Sequence, residues 1–576
     1  MTINVPIALL RIGHNALGAI PSRYTLDKVQ IGMLWHLIDW QRVYRIVRNL
    51  QGRIVKAVQE RKTQLRKSLQ RLLTNSTSTK LLAIRKVTEN KGGRSPGIDG
   101  VLWDSPKRKW QALSELVTRG YNAQAVRQVK IPKKNGKWRK LGIPTMKDRA
   151  IQALYLMALD PISETLADGH SYGFRPYRSC ADAIEQCHIV LSKANSPQWI
   201  LEADIRGCFD HISHSWLLDN IPLPKLILQT WLKAGLINQN YQYQPTEEGT
   251  PQGAIISPTL ANMTLDGLQG QLYKAMKVTY RRNGMVGHNP HQINFIRYAD
   301  DFIVTANNPT VLTEQVKPLL TQFLQQRGLA LSEEKTHLTH IQQGFDFLGK
   351  TIRKYNGTLL TQPSKKSVNR FLTNVKTLIK TYPSLNAAKL IQLLNPKIKG
   401  WGMYYRSNAS KETFHKVDHQ IWQMIWNACV RKHPKKGKRW VKQKYFTTLR
   451  NDHWTFYDYD ENGNKVYLMK LGKIPIRRHI KIRSAVNPYD PSDEPYFEQR
   501  IQQQLVLKQH GKMLFRQIYN RQNGRCPKCG QLINGTNGWH IHHITPRHLG
   551  GKTSLENLML LHPVCHQQIH YAPTFS

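Results

Sequence analysis

Two adjacent carboxylates at the tip of an apolar strand–turn–strand pattern constrain this chain more than any other feature. Residues 295–304 read FIRYADDFIV, which places Asp300 and Asp301 between two apolar segments. Such acids are costly unless a positive charge, such as a metal ion, neutralises them. The short predicted strand 199–204 ends in Asp204. Three carboxylates on two neighbouring strands can hold the two divalent ions, about 4 Å apart, that phosphoryl transfer uses. The alternative is an ordinary turn, where aspartate is common.

The charge composition indicates what kind of partner the chain binds. Its 576 residues include 84 Lys and Arg against 37 Asp and Glu, which gives a net charge of +47. An excess of this size raises the local concentration of polyanions and speeds their capture, so nucleic acid is the expected partner. The apolar stretches fall short of the ~20 residues that cross a bilayer, so no membrane association is expected.

Hydrophobic periodicity divides the chain into regions of different structure. Residues 35–90 and 365–433 are predicted to be helical, whereas 148–350 mix helices with short strands. An Asn-Gly pair between extended flanks predicts a hairpin at 131–144. The proline-rich segment 484–497 is predicted to be a linker. Apolar residues at helical spacing form three stripes, the last two predicted to be simple core packing: Leu65, Leu69, Leu72 and Leu73; Phe371, Val375, Leu378 and Ile379; Phe414, Val417, Ile421 and Ile425.

The order of sequence blocks between residues 90 and 350 is similar to that of group II intron-encoded proteins, which combine a reverse transcriptase with a maturase that assists RNA splicing. YADD at 298–301 resembles the reverse transcriptase signature, and KGWGMYYR at 399–406 resembles the helical maturase, or thumb, segment. The blocks are SPGIDG (95–100), IPKKNGKWRKLGIPTMKDR (131–149), SYGFRPYRSCADA (171–183), LEADIRGCFDHI (201–212), GTPQGAIISPTLAN (249–262), IRYADDFIV (296–304), LSEEKT (331–336) and FDFLGK (345–350). The resemblance implies an α+β right-hand polymerase, with fingers and palm, that copies RNA into DNA.

Matched by position, the resemblance assigns roles to residues around the carboxylates. Asp204, Asp300 and Asp301 would be the catalytic acids that bind two Mg²⁺ ions. The flat ring of Phe209 would clash with a 2′-hydroxyl and so select deoxynucleotides, although a core aromatic would look the same in sequence. The residues expected to contact the nucleotide are Lys133, Arg139, Phe209, Gln252 and Lys335.

Some of these nucleotide contacts have alternatives. Lys133 and Arg139 lie on the 131–144 hairpin and could grip the triphosphate, where arginine offers paired hydrogen bonds. Lys133 could equally grip the template backbone. Gln252 would lie against either the nucleotide or the template strand. Lys335 would lie near the pyrophosphate as a candidate general acid, although a lysine after two glutamates is also typical of a surface ion pair.

A Cys/His cluster near the C-terminus predicts a structural zinc site. Cys526 and Cys529 are two residues apart, and so are His562 and Cys565. This spacing lets both side chains of a pair turn towards one ion, and three cysteines with one histidine form an acceptable tetrahedral Zn²⁺ site. Relatives usually have a second cysteine pair, so His540 is an alternative to His562 as the fourth ligand.

The same segment resembles an HNH nuclease with an inlaid zinc site. His543 is the candidate general base, because a neutral imidazole can deprotonate water near pH 7. Asn557 would orient that imidazole. His542 and His566 would hold one divalent ion against the scissile phosphate, and His570, one turn beyond His566 on a predicted helix, could join them. The alternative is a purely structural zinc knuckle that binds DNA.

Together these features predict five functional regions. The thumb carries a basic run at 432–439 and the connector carries another at 477–483. Both are expected to contact nucleic acid backbones. The regions are an N-terminal helical extension that binds RNA (1–90), fingers and palm (91–355), a helical thumb or maturase domain (356–449), a DNA-binding connector and linker (450–510) and an HNH endonuclease with its zinc site (511–576).

The resemblance implies that the chain acts in a ribonucleoprotein with its own intron RNA. The RNA would insert into one strand of a double-stranded DNA target, the HNH domain would nick the other, and the nick would prime reverse transcription from deoxynucleoside triphosphates. Residues 1–26 lack acids and carry two arginines, too few for a convincing transit peptide, so a bacterial cytoplasm with nucleoid association is favoured over an organelle. The alternatives are a domesticated, retron-like transcriptase, a non-catalytic splicing chaperone and a homing nuclease with a polymerase-like RNA-binding fold.

Overall fold

Between residues 31 and 115 the chain forms five helices. The computed structural model describes residues 31–132, 138–280, 286–381, 386–508, 513–534, 538–546 and 549–571. Asp39 begins the second helix by accepting a hydrogen bond from the backbone N–H of Arg42 at 3.0 Å. The helical prediction for 35–90 is confirmed, but in its leucine stripe Leu69 and Leu73 are buried whereas Leu65 and Leu72 are exposed. The helices are α1 (Ile31–Leu37), α2 (Trp40–Gln59), α3 (Thr63–Asn75), α4 (Thr77–Thr88) and α5 (Pro106–Glu115), with a 3₁₀ turn at Lys91–Arg94.

The fingers contain the predicted hairpin. Strands β1 (Val126–Pro132) and β2 (Trp138–Ile143) pair antiparallel, with Gln128 opposite Gly142. Residues 133–137 at the tip, and with them Lys133, lie outside the described residues. Two short strands complete a four-stranded sheet of order β2-β1-β4-β5: β4 (Leu236–Ile237) and β5 (Tyr243–Gln244).

The palm is built on a four-stranded antiparallel sheet of order β10-β3-β9-β8. Helix α6 (Met146–Leu166) begins at the Thr145 cap and contacts α2 and α4, which joins the N-terminal helices to the palm. The other palm elements are α7 (Cys180–Leu191), β3 (Trp199–Asp204), α8 (Cys208–His211), α9 (His214–Asn220), α10 (Lys225–Leu232), α11 (Ser257–Leu265), α12 (Leu268–Ala275), β6 (Thr279–Tyr280), β7 (Val286–His288), β8 (Asn294–Tyr298), β9 (Asp301–Ala306), a π-helix (Val311–Val316), α13 (Lys317–Gln325), a 3₁₀ turn (Glu333–Lys335) and β10 (His337–His340).

The thumb is helical and has its own apolar core. The two stripes predicted to face the core are confirmed: seven of their eight side chains are buried and Leu378 is partly buried against them. A three-stranded sheet leads into the thumb and another follows it. The elements are β11 (Phe345–Phe347), β12 (Lys350–Tyr355), β13 (Thr358–Pro363), α14 (Lys365–Thr381), α15 (Ala387–Tyr405), α16 (Lys411–Lys432), α17 (Lys438–Tyr445), β14 (Phe446–Leu449), β15 (Asp452–Tyr459), β16 (Lys465–Tyr467) and a 3₁₀ turn (Leu471–Lys473).

The segment 484–497 is not a free linker, which corrects the prediction from its prolines. Its backbone is irregular over 484–490, forms a 3₁₀ turn at Pro491–Asp493 and enters a helix at Glu494, and its side chains anchor it to the palm. Asn487 donates to Thr165 Oγ1 at 2.9 Å, and the Tyr489 hydroxyl bonds Asp160 at 3.2 Å. Phe497 is buried as well. Aromatic and amide side chains therefore attach this proline-rich segment to the palm.

The C-terminal module consists of one helix, a two-stranded hairpin and a second helix. Strand β17 (His540–His543) pairs antiparallel with β18 (Leu558–Leu561) in the register that sets His543 opposite Leu558. The helices are α18 (Glu494–Lys508), which leads into the module, α19 (Met513–Arg521) and α20 (Pro563–Tyr571). Within the described part of the chain, no helix is long and apolar enough to cross a membrane.

Candidate active sites

Strand pairing in the palm brings the three predicted carboxylates together. Asp204 is the last residue of β3 and lies directly opposite Asp301, the first residue of β9. Asp300 precedes Asp301 in the turn that joins β8 to β9. The side chains of Asp204 and Asp301 share a hydrogen bond. The sequence prediction that two neighbouring strands supply three acids to one place therefore agrees with the geometry.

A buried ion pair that sequence reasoning missed holds this turn in place. The guanidinium of Arg297, wholly buried behind the turn, pairs with Asp266 and donates to Asn262 Oδ1 at 3.3 Å. Ala299 adopts the left-handed backbone conformation, with φ of +59°. Gly173 packs so closely on it that an added Cβ would lie 2.2 Å from the Ala299 nitrogen, so a side chain there would displace the turn. The available signal was an arginine inside an apolar strand.

Electrostatic repulsion makes the three acids a fitting site for cations. Loss of hydration raises the pKa of Asp300. Loss of hydration, together with the hydrogen bond shared with Asp204, raises the pKa of Asp301 to about 7. The carboxylates thus resist being ionised together, and divalent cations between them would remove that penalty. The residues present fit the Mg²⁺ ions that the sequence predicts, because oxygen ligands are those that Mg²⁺ prefers.

Two of the predicted basic residues lie close to these acids. Lys335 Nζ lies 2.6 Å from Asp204 Oδ2, and this contact raises the pKa of the lysine. The positive charges of Lys335 and Arg139 both act on Asp300. Lys335 therefore forms an ion pair with Asp204, rather than with the glutamates that precede it.

The predicted sugar-selecting aromatic and the Pro-Gln-Gly loop flank the same region. Phe209 is a partly buried residue of α8, and its ring meets that of Phe174 edge-on with centroids 6.0 Å apart. Gln252 accepts a hydrogen bond through its carbonyl from the Gly142 N–H of β2 at 2.7 Å. This bond ties the loop to the fingers hairpin that carries Arg139.

The thumb contacts the turn at Leu348 and Gly349, within the FDFLGK block. Tyr404 donates its hydroxyl hydrogen to the carbonyl of Leu348 at 2.9 Å, and Tyr405 donates to that of Gly349 at 3.0 Å. Both residues of the turn have positive φ values, so these two bonds hold an otherwise strained backbone. The KGWGMYYR segment thereby joins the thumb to the palm.

The structure assembles the predicted zinc ligands, including the histidine that departs from the usual pattern. Cys526, Cys529, His562 and Cys565 are all buried, and one ligand atom from each lies within 4.8 Å of the others. Hydrogen bonds from Cys529 and Cys565 hold the pKa of the Cys526 thiol far below its usual range, which favours the thiolate that zinc requires. His540, the alternative ligand, is exposed and lies beside His566 instead.

A second group of three histidines fits a divalent ion. His542 on β17 and His566 and His570 on α20 also place their ligand atoms within 4.8 Å of one another. Desolvation and the neighbouring histidines lower the pKa values of His542 and His566. Lowered values favour the neutral imidazoles that bind metals. The prediction that His570 joins the other two agrees with this arrangement.

The predicted base and its orienting amide do not contact each other, which corrects one prediction. His543 Nε2 lies 3.2 Å from Thr553 Oγ1. The amide of Asn557 accepts from the N–H of Thr545 at 2.7 Å and donates to the carbonyls of Thr545 and Lys552. The Asn557 amide is therefore occupied by loop backbone, and its backbone carbonyl accepts from the N–H of Ile544, the residue after His543, at 2.9 Å.

Family models match four parts of the chain: the reverse transcriptase (RNA-dependent DNA polymerase) over residues 131–352, the N-terminal domain of reverse transcriptase over 35–116, the group II intron maturase-specific domain over 368–446 and HNH endonuclease over 526–572. Group II intron-encoded protein LtrA of Lactococcus lactis subsp. cremoris is 26% identical over 570 residues, which cover 83% of this chain and 90% of that protein. The chain belongs to the group II intron-encoded proteins. The predicted fold class is confirmed, and this group II intron protein combines RNA-directed DNA polymerase, maturase and HNH endonuclease functions.

Other relatives match parts of this group II intron protein. Protein YkfC of Escherichia coli (strain K12) is 32% identical over 320 residues, which cover 50% of this chain and 84% of that protein. Among solved structures, telomerase from Candida albicans in complex with a fragment of telomeric RNA aligns with a TM-score of 0.32 and 11% identity, covering 57% of this chain and 65% of that chain. That structural similarity is too low to support an argument.

Proposed function

We propose that Asp204, Asp300 and Asp301 are the catalytic acids of the reverse transcriptase and hold two Mg²⁺ ions. The observation that carries this assignment is the pairing of Asp204 with Asp301 at the ends of β3 and β9, with Asp300 beside them. Mg²⁺ in this site would activate the primer 3′-hydroxyl and stabilise the leaving pyrophosphate. Extension of a DNA primer on an RNA template tests the assignment. It should require each of the three carboxylates but not Glu202, which bonds Thr339.

The residues around the acids would bind and select the nucleotide. Arg139 on the fingers hairpin would contact the triphosphate, and Lys133 would contact either the triphosphate or the template backbone. Lys335 would exchange its ion pair with Asp204 for contact with the pyrophosphate, and as a strong hydrogen-bond donor it would be placed to protonate it. Gln252, bonded to the fingers through its backbone, would lie against the base or the template strand.

Replacing Phe209 by valine should relax sugar selection. A flat ring below the sugar rejects the 2′-hydroxyl by steric clash, and pockets of this kind discriminate against one added hydroxyl by about a hundredfold. We therefore expect incorporation of ribonucleotides by Phe209→Val to rise by on the order of a hundredfold relative to deoxynucleotides, with deoxynucleotide incorporation retained. Single-nucleotide incorporation by wild type and variant measures the ratio. An unchanged ratio would show that Phe209 is only a core aromatic.

For the nuclease, we propose that His543 is the general base and that His542, His566 and His570 hold one divalent ion. That ion would stabilise negative charge on the scissile phosphate. His543, bonded to Thr553 in this structure, would deprotonate the attacking water. Cys526, Cys529, His562 and Cys565 would hold a structural Zn²⁺, since their closed set of four ligands leaves no position for a substrate.

The proposed partners follow from the maturase and polymerase domains together with the charge of the chain. The N-terminal helices (1–90) and thumb (356–449) would bind the intron RNA, and the connector (450–510) would bind a double-stranded DNA target. The lysines and arginine of the run 432–439 are exposed, and Lys436 and Lys444 lie over the ring of Trp440. A polymerase that acts on DNA and intron RNA belongs in the bacterial cytoplasm, at the nucleoid when bound to DNA.

RNA binding should depend steeply on salt and still distinguish the intron. The net charge of +47 supplies a non-specific part by releasing counterions, so affinity should fall by about a thousandfold or more between 50 and 200 mM salt. The N-terminal helices and thumb supply a specific part through the shape of the folded RNA. Filter binding of the intron and of an unrelated RNA of equal length measures both parts. Equal affinity for the two RNAs at moderate salt would favour a domesticated transcriptase.

A further inference from the structure

The C-terminal module is docked onto the first helices of the chain. Gln568 of α20, almost wholly buried, donates its side-chain amide to the carbonyls of His36 and Ile38 at 2.8 and 3.2 Å. Both carbonyls lie at the C-terminal end of α1, where helix carbonyls lack partners within the helix. A single side chain thus satisfies two backbone groups across an interface between segments more than 500 residues apart.

The four proposed zinc ligands lie at this interface. Gly530, the residue after Cys529, packs against Gln41 of α2. A Cβ added to Gly530 would lie 3.3 Å from the Gln41 side chain. Burial raises the pKa of Tyr44 on the same helix, and the charges of Cys529 and Cys565 add to that increase. The buried cysteines belong to one apolar cluster with the buried residues of α1 and α2. The four proposed zinc ligands of the module therefore lie where it packs against the N-terminal helices.

A buried arginine of α4 packs against the part of α2 that meets the module, over the rings of Trp40 and Tyr44. Arg85 is 8% exposed, stacks over the Trp40 ring at 4.6 Å and bonds Glu89 through Nε at 3.0 Å. Its Nη1 is buried and has no hydrogen-bond partner among the described residues. The charge of Cys565 acts on this guanidinium. Three thiolates, one neutral imidazole and Zn²⁺ leave one net negative charge, and burying that charge is costly unless a cation compensates it.

We propose that Arg85 supplies the positive charge that compensates the zinc site. The zinc-loaded site then forms the surface that binds the nuclease module to the N-terminal helices in a fixed position. The inference rests on the proposed zinc assignment. It gives the helices expected to bind intron RNA a second role, because they also set where the nuclease lies relative to that RNA. Glu89 orients the guanidinium, and the Gln568 contacts add the specificity of the fit.

Zinc affinity of the full-length protein tests the role of the Arg85 charge. We expect Arg85→Met to weaken zinc binding at least tenfold in chelator competition, and Arg85→Lys, which keeps the charge, to remain near wild type. The matched control is Lys86→Met, the exposed next residue of the same helix, which should leave the affinity unchanged. Wild-type affinity in Arg85→Met would overturn the counter-charge. A wild-type protein that holds no zinc would instead overturn the metal assignment, and the docking proposal with it.

Amide hydrogen exchange tests docking without nicking activity and without the Arg85 variants. Removing zinc from the wild-type protein should speed exchange in both α1 and α20. Gln568→Glu places a carboxylate against the carbonyls of His36 and Ile38 and should speed exchange in α1 while zinc stays bound. If α1 stays as protected without zinc as with it, zinc does not govern docking and the proposal fails. A wrong nuclease assignment would change neither readout.

Discussion

Asp300→Asn should abolish DNA synthesis while leaving RNA binding largely intact. The substitution keeps the size of the side chain but removes a negative charge from the set that holds the two Mg²⁺ ions. The loss of metal binding should lower the rate of primer extension on an RNA template by on the order of a thousandfold or more, which corresponds to about 4 kcal/mol of transition-state stabilisation. The basic surfaces that bind RNA are unchanged by this substitution.

Glu202→Gln is the matched control for that experiment. Glu202 lies two residues before Asp204 on the same strand, but it bonds Thr339 at 2.8 Å and is not among the main charges that act on Asp300 and Asp301. We expect this variant to extend primers at a rate near that of wild type. Near-normal polymerisation by Asp300→Asn in Mg²⁺ would contradict the assignment of the site. Loss of activity in Glu202→Gln as well would indicate a structural effect of any charge loss on this strand.

His543→Ala and Cys526→Ser should separate the two metal roles of the HNH module. His543→Ala removes only the proposed base, so nicking of the second DNA strand should fall by at least about a hundredfold, with zinc content, reverse transcription and splicing intact. Cys526→Ser removes a structural ligand, so it should release zinc and unfold the module, because small zinc sites owe much of their folding free energy to the ion. Splicing should survive both changes, because the proposed maturase contacts lie in other domains.

The readouts for these two variants are zinc content and nicking by the reconstituted ribonucleoprotein. A His543→Ala protein that nicks at the wild-type rate would show that the module only binds DNA and that another nuclease makes the primer. A Cys526→Ser protein that keeps its zinc would exclude Cys526 as a ligand.

Local motifs made much of both sites predictable from sequence. The acids of the palm could be placed because a strand–turn–strand pattern brings its own residues together, and the zinc ligands because their spacing lets each pair face one ion. The hairpin of the fingers followed from the Asn-Gly pair in the sequence between its two strands. In each case the residues that define the site lie near one another in the sequence or end neighbouring strands.

Contacts between distant segments could not be predicted in this way. The prolines of 484–497 correctly indicated irregular backbone over 484–490, but the segment is held by contacts such as the hydrogen bond from Tyr489 to Asp160, which lies more than 300 residues away. The amide of Asn557 bonds the backbone of Thr545, a contact set by how the loop folds. Docking of Gln568 on α1 likewise depends on the whole fold. No local pattern in a single sequence specifies such pairs.

The most direct test is target-primed reverse transcription by the ribonucleoprotein on a labelled double-stranded DNA target. The account predicts a nick in the second strand and complementary DNA joined covalently to the 3′ end at that nick. Asp300→Asn should give the nick without the extension. His543→Ala should give neither on intact DNA but should extend a target that is already nicked. Extension by Asp300→Asn, or nicking by His543→Ala at the wild-type rate, would contradict the account.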